Sequence, residues 1–398
     1  EVPSGALADT LGRRNLLVFT GILMVMEMAL LCFVPRGNPN ILFGVFLLNR
    51  ILSGAAEAAA SGADEALAYD SLQEEGCEKK WGQVLEKQMR MQAAAFLIAM
   101  SLGAAVYDPV LMQRIIDFFG LDFTVSRELT LRLPVFLTLG MAILTLLTAL
   151  LMHEVLPAPS GRPLNIVIGS GKRVLQAFKL TLEAGKWILK TPFALVIILI
   201  GVVFDSCLRM AATLTSEYYR LIHLPEASFG LIGSAIAVMG LFVPHLALVL
   251  VEKRTPLFNL IVMTVPALIG LTGMALFLPT LVGVIPIVLI SSTMYLLRFF
   301  QSHYLNQITT SAQRATVLSF KGLSMNLTYG IVGVLYSLLV GRLRSTIAAT
   351  GATPEKLEEA VFTAAMGWFP WAFAAALAVV MVYVVWMFRR SAASQQPS

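Results

Sequence analysis

The chain has 398 residues, 57% of them hydrophobic and 13% charged, with a formal net charge of +5 and a mean hydropathy of +0.78. Soluble domains carry about 25% charged residues, so this composition excludes an ordinary soluble enzyme or binding module and places the chain in a lipid bilayer. The basic balance needs no nucleic acid, because basic loops on the cytoplasmic side of a membrane protein account for it.

In chain order, a polar and basic hinge comes first: Gly5-Ala6-Leu7-Ala8-Asp9-Thr10-Leu11-Gly12-Arg13-Arg14. Two glycines permit tight backbone there, and one carboxylate and a basic pair sit where charges can pair at a membrane surface. Ten apolar runs follow, each close to the roughly 20 residues that cross about 30 Å of hydrocarbon. They are Asn15–Val34, Ile41–Ala68, Met91–Tyr107, Leu133–Met152, Phe193–Leu214, Phe229–Val251, Leu257–Leu278, Val282–Ile308, Val317–Val340 and Val361–Phe388. The pattern predicts an all-α, polytopic membrane protein. Small residues inside the runs, as in Ser53-Gly54-Ala55-Ala56, let helices approach closely in lipid.

Alternate loops differ in Lys and Arg content, about 18 against about 8, and the richer set is expected on the cytoplasmic side. That set holds Arg13, Arg14 and the C-terminal Arg389 and Arg390, so both ends of the chain are expected inside. The longest polar stretch, His153–Thr191, reads as a Pro/Ser/Gly-rich linker followed by a basic amphipathic helix over Lys172–Lys190, lying most simply on the cytoplasmic membrane surface. It separates an N-terminal transmembrane half (1–152) from a C-terminal half (192–390), with a tail over 391–398. Val2-Pro3, Ala6-Leu7, Arg13 and Leu16 recur as Val243-Pro244, Ala247-Leu248, Arg254 and Leu257, as parallel repeats would.

Charge inside a span costs about 2.5–3.5 kcal/mol at a helix centre and marks function by default. Glu27 stands alone within Thr20–Leu31, as a proton-exchanging carboxylate or as a neutral group bonded to a neighbouring helix. In the second run Arg50, Glu57 and Asp64 fall within about 40° of one another at 100° per residue, forming one polar stripe. Arg50 and Glu57 are either a substrate or proton path or a structural ion ladder. Asp64, Glu65 and Asp70, near the cytoplasmic end, read as structural. Asp205 and Arg209 lie four apart and can neutralise each other or open toward an ionic substrate. Arg298 marks a polar helix that is a substrate face or a helix end.

No catalytic constellation is present: the four histidines are scattered, and H-E-x-x-H and G-x-S-x-G are absent. Cys32, Cys77 and Cys207 lack metal or redox spacing. Gly169-Ser170-Gly171-Lys172 fails as a phosphate loop, because Arg173 stands where Ser or Thr should be. No enzyme activity, metal or cofactor is expected.

The opening hinge resembles G-x-L-A-D-x-x-G-R-[RK], the signature loop between the second and third transmembrane helices of the major facilitator superfamily; Thr10 departs from it. Ser61-Gly62-Ala63-Asp64-Glu65-Ala66-Leu67-Ala68-Tyr69-Asp70-Ser71-Leu72 resembles the fourth-helix end of a bacterial branch, and Arg314-Ala315-Thr316-Val317-Leu318-Ser319 the start of its eleventh helix. Ser101-Leu102-Gly103-Ala104-Ala105 replaces the proline-glycine motif of drug–proton antiporters, which argues against drug efflux. The resemblance implies two six-helix bundles in the intact protein and a chain that lacks the first helix and most of the second. It implies secondary active transport of a small molecule by alternating access, with proton coupling inferred from the intramembrane carboxylates, in a monomer of the inner membrane. The alternatives are an organic-anion uniporter or importer, with Arg50, Arg209 or Arg298 as counter-charge, and a non-transporting membrane sensor. Asp9, Gly12, Arg13, Arg14 and Asp70 are then expected to form the conformational gate. Glu27, Arg50, Glu57, Asp205, Arg209 and Arg298 are expected to line the substrate or proton pathway.

Overall fold

The computed structural model describes residues 8, 12–34, 38–120, 124–154, 170–225, 227–349 and 353–393. Asp9 and the rest of the opening hinge before Gly12 (Ala8 apart), the first copy of the repeat up to Leu7, the linker over 155–169 and the tail from 394 lie outside them. The described residues are helical, with no strand, and ten segments are long and apolar enough to cross a membrane. The helices are α1 (Arg13–Cys32), α2 (Pro39–Ala60), α3 (Ala63–Glu74), α4 (Trp81–Tyr107), α5 (Pro109–Phe118), α6 (Arg127–Leu151), α7 (Ser170–Lys190) and α8 (Pro192–Thr213). They continue with α9 (Thr215–Leu221), α10 (Ala227–Lys253), α11 (Pro256–Ala275), α12 (Val284–Ile308), α13 (Arg314–Ala348), α14 (Pro354–Met366) and α15 (Phe369–Ala393).

Local chemistry sets the helix starts. The first turn of a helix has orphan N–H groups, and a polar side chain just before it accepts from them. Asn38 does so for Asn40 N at 3.0 Å, with Pro39 at the first helical position where its missing N–H costs nothing. Asp108 accepts from Val110 N at 2.8 Å ahead of Pro109, and Ser126 and Thr255 cap α6 and α11 in the same way. The run Ile41–Ala68, expected as one helix, is broken at Ser61-Gly62, where Gly62 has φ +76. Left-handed backbone ends a right-handed helix, so α2 stops there and α3 begins anew.

The chain divides into two compact units. Unit 1 comprises Glu1–Glu78, Ala95–Lys186 and Thr309–Gly322; unit 2 comprises Lys79–Ala94, Trp187–Ile308 and Leu323–Ser398. In unit 1, α1 is the centre, packed between α2 and α6. In unit 2 that place is taken by α12, which packs against α8, α10 and α11 and buries Leu296, Leu297, Phe299, Phe300 and Leu305. Each unit thus contains a short helical segment that is remote in sequence from the rest of it: Thr309–Gly322 in unit 1 and Lys79–Ala94 in unit 2.

Candidate functional site

In unit 1 the charges gather around Asp70. Helix α3 begins right after Gly62, and its last turns carry Tyr69 and Asp70 inward; Asp70 is 3% exposed. The start of α13 lies against this region so closely that a Cβ on Gly62 would come within 2.8 Å of the Ala315 carbonyl oxygen. Only glycine satisfies both that approach and the positive φ. Ser319 Oγ donates to the Ser61 carbonyl at 2.8 Å, and Lys321 reaches Glu65 at 3.7 Å.

Asp70 is held by two guanidinium groups and a hydroxyl. Arg13 and Arg314 each form an ion pair with it, and Ser311 Oγ donates to its Oδ2. Arg13 also donates to the Ala66 carbonyl at 3.2 Å and to the Ser311 carbonyl at 2.5 Å. Arg314 donates to the Thr309 carbonyl at 2.6 Å, and its guanidinium lies 4.3 Å from the centre of the Tyr69 ring, a cation–π contact. Both arginines are 2% exposed. Backbone carbonyls and a ring face share the charge of the two guanidinium groups beside the carboxylate.

The helix start is fixed by a residue that sequence reasoning missed. Glu154 accepts from the backbone N–H groups of Arg13 and Arg14, both at 2.8 Å, so a carboxylate sits at the positive end of α1. Gly12 has φ +100, and a Cβ there would meet Glu154 Oε2 at 2.7 Å. Arg14 donates to the Leu150 carbonyl at 2.7 Å, covering an orphan carbonyl at the end of α6. Of the expected gate residues, Gly12, Arg13, Arg14 and Asp70 therefore come together in one network, and Asp9 lies outside the described residues. The network adds Glu154, Ser311 and Arg314. Arg314, expected only as the start of a helix, meets the carboxylate with its side chain.

The stripe expected on one continuous helix is divided between two helices. The break at Gly62 puts Asp64 on α3, while Arg50 and Glu57 are on α2, and all three side chains are exposed. Among the described residues Arg50 and Glu57 form no ion pair, so the ladder between them is also absent. Glu27, on α1, is 8% exposed; its backbone carbonyl accepts from Asn49 Nδ2 at 3.3 Å, while its carboxylate has no partner among the described residues.

Unit 2 carries its own ionic group. Asp205 and Arg209 pair on α8, as their spacing predicts. Arg209 also donates to Asn326 Oδ1 at 2.8 Å and lies 5.1 Å from the Tyr329 ring centre. Asp205 is 5% exposed, but the Arg209 side chain is 30% exposed, so part of a guanidinium fork is open to another acceptor. Asp205 is thirteen residues into α8, about 20 Å along the helix axis at 1.5 Å per residue, well inside a span. Arg298 is exposed at the edge of a cavity of 190 Å³ shared with Ile236, Ser291, Met294 and Tyr295.

Ten apolar spans with buried, paired charges among the described residues define a polytopic membrane fold. A profile of the Major Facilitator Superfamily matches residues 1–333, and the chain belongs to that family. Its fold is similar to a mutant of XylE (TM-score 0.64, 14% identity, covering 96% of this chain and 83% of that one). It is also similar to a bacterial homologue of the iron transporter ferroportin (0.62, 15% identity, 96% and 85%) and to the human organic anion transporter MFSD10 (0.60, 14%, 95% and 79%). No curated protein matches it in sequence. The chain is a multi-pass membrane protein of a transporter family.

Proposed function

We propose that this protein is a secondary active transporter of a small molecule, working by alternating access as a monomer in the inner membrane, with both ends of this chain cytoplasmic. The observation that carries the reading is the Asp70 cluster, which joins residues near 13, 61–70 and 311–319 through buried charges. A group of this kind has two well-defined conditions, fully paired or opened to water, and little between them. As a cytoplasmic gate it would favour the state in which these segments meet, and only by the difference in its contacts between states. Gly12, Arg14 and Glu154 position Arg13. Asp9 is assigned to the same gate by the signature-loop pattern alone.

Proton coupling is assigned to Glu27, a buried carboxylate without a charged partner among the described residues. Arg50 and Glu57, exposed on α2, contribute to the polar path. The half-open fork of Arg209, backed by Asn326 and Tyr329, favours an anionic substrate and keeps organic-anion uniport as the second reading.

The test is uptake and efflux of a compound panel in proteoliposomes made with the complete protein, with and without a pH gradient. A proton gradient should drive accumulation, and Glu27→Gln should abolish that drive while leaving equilibrative exchange. Accumulation unaffected by pH removes the coupling and leaves the uniporter. Orientation is tested separately: a cysteine at Ser160 should label only from the cytoplasm and one at Thr124 only from outside, and the reverse would invert the topology.

A further inference from the structure

Arg298 is a mid-span charge without an answering group. It lies about 21 Å from the start of α12 and about 15 Å from its end, at 1.5 Å per residue. Arg209 is already paired with Asp205 and bonded to Asn326, whereas Arg298 forms no hydrogen bond or ion pair among the described residues. A cation at that depth is costly and is kept where it faces a cavity or a ligand.

Arg298 borders the cavity of 190 Å³ whose other walls are Ser291, Met294 and Tyr295 of α12 and Ile236 of α10, all within unit 2. Those walls hold one cation and no carboxylate. Ser291, Tyr295 and Arg298 follow one another at spacings of four and three, so they fall within about 60° on one face of α12. Neither hydroxyl has a hydrogen-bond partner among the described residues, and neither oxygen is buried: both keep accessible surface. Helix α10 places the tyrosine, since a Cβ on Gly240, one turn beyond Ile236, would come within 2.9 Å of Tyr295 Oη. The cavity thus presents a guanidinium fork and two open hydroxyls in a row, beside the apolar Met294 and Ile236.

A carboxylate meets these donors. The fork offers parallel N–H groups that fit its two oxygens, and each hydroxyl can donate to a remaining lone pair. One guanidinium balances one negative charge, so a phosphomonoester dianion would stay half-neutralised inside a span. A cavity of about 150 Å³ takes up benzene, so this one has room for a ring or a short branched chain. We infer that the cavity anchors a small monocarboxylate with an apolar body, its carboxylate on Arg298, Ser291 and Tyr295 and its body against Met294 and Ile236. This rests on the transport reading and names the class of substrate for it.

The probe pair is benzoate and benzamide, alike in shape and different in charge. The complete protein, in nanodiscs of zwitterionic phospholipid and carrying 13C-labelled methionine methyl groups, is titrated with each at about pH 7, and the Met294 resonance is followed. Benzoate should shift it saturably and bind at least about tenfold more tightly than benzamide, as charge-assisted hydrogen bonds imply. Arg298→Gln should erase that preference, and Arg298→Lys, which keeps the charge without the fork, should retain it at reduced affinity. Equal binding of the two probes to the natural protein would overturn the inference, as would a preference that survives in Arg298→Gln. So would shifts spread equally over methionines remote from the cavity, such as Met26 and Met141. Tighter binding of phenyl phosphate than of benzoate would overturn the carboxylate assignment, and displacement of benzoate by phosphatidylglycerol in the nanodisc would hand the site to a lipid headgroup. Uptake into proteoliposomes separates this inference from the reading beneath it. Benzoate that binds at Met294 but is never transported loses its place as a substrate and keeps the site; benzoate that does not bind, while other compounds are still taken up, overturns the site and leaves transport standing.

Discussion

The two remote segments are attached to their units by opposite means. In unit 1, Thr309–Gly322 brings a buried polar face: Arg314, Thr316 and Ser319 are all at or below 2% exposure, and the contact is the Asp70 cluster with the Ser319 and Lys321 bonds around it. In unit 2, Lys79–Ala94 brings an apolar stripe at four-residue spacing, Trp81, Leu85, Met89 and Ala93, each below 9% exposure. Its ionic contacts are at the margin: Glu86 meets His245 at 3.0 Å and Arg90 at 3.1 Å, with those partners 64% and 52% exposed. Apolar contact is non-directional and yields gradually as helices slide. A buried ionic cluster tolerates one geometry and otherwise strands a charge. The comparison fits the proposed gating role for the first segment and a cohesive role for the second.

The largest effect is expected at Asp70. Asp70→Asn removes the carboxylate that two buried guanidinium groups share and should cost about 3–5 kcal/mol, read as a lowered unfolding transition in detergent together with loss of turnover. Adding Arg314→Met should recover part of that loss, because one of the stranded charges is removed. A double variant no more stable than Asp70→Asn alone would mean that the arginine and the carboxylate are not coupled.

Gly62→Ala comes next. It forces a side chain into left-handed backbone, at about 1–3 kcal/mol, and sets a Cβ against the Ala315 carbonyl. Its cysteine-labelling signature should be opening near Ser311 as well as lower stability, and unchanged labelling would detach Gly62 from the cluster. Gly82→Val is the matching change in unit 2. There a Cβ would meet the end of the flexible Leu248 side chain at 2.7 Å, so repacking should limit the cost to about 1 kcal/mol. A cost as large as that of Gly62→Ala would erase the distinction between rigid and yielding contact.

The smallest effect is expected for Glu86→Gln. Exposed pairs contribute about 0.2–1 kcal/mol, so unfolding should barely change and the small difference should vanish in high salt. If Glu86→Gln is as damaging as Asp70→Asn, the second segment too is held by charge and the comparison fails.

Some features follow from the chain's own order of residues. Ten spans were legible, because crossing hydrocarbon demands about 20 apolar residues in a row and no partner alters that demand. The Asp205–Arg209 pair was legible for a similar reason: a four-residue spacing puts both side chains on one helical face. The expectation of one helix through Arg50, Glu57 and Asp64 missed the break at Gly62, because a positive φ at one residue leaves no mark on the apolar pattern around it. Motif resemblance pointed to Asp70 and Arg13, but not to what completes their cluster. Arg314 is 244 residues from Asp70, and Glu154 is 141 from Arg13. No local period connects positions so far apart, and an arginine at a helix start looks the same whether it faces water or a buried carboxylate. The same holds for Asn259, whose Oδ1 is buried with no hydrogen-bond partner among the described residues while its Nδ2 is held by Leu250 and Tyr304. Spans and same-helix pairs were fixed by sequence because their physics is local; which charges are buried together, and which polar atom is left without a partner, was decided only when the helices packed.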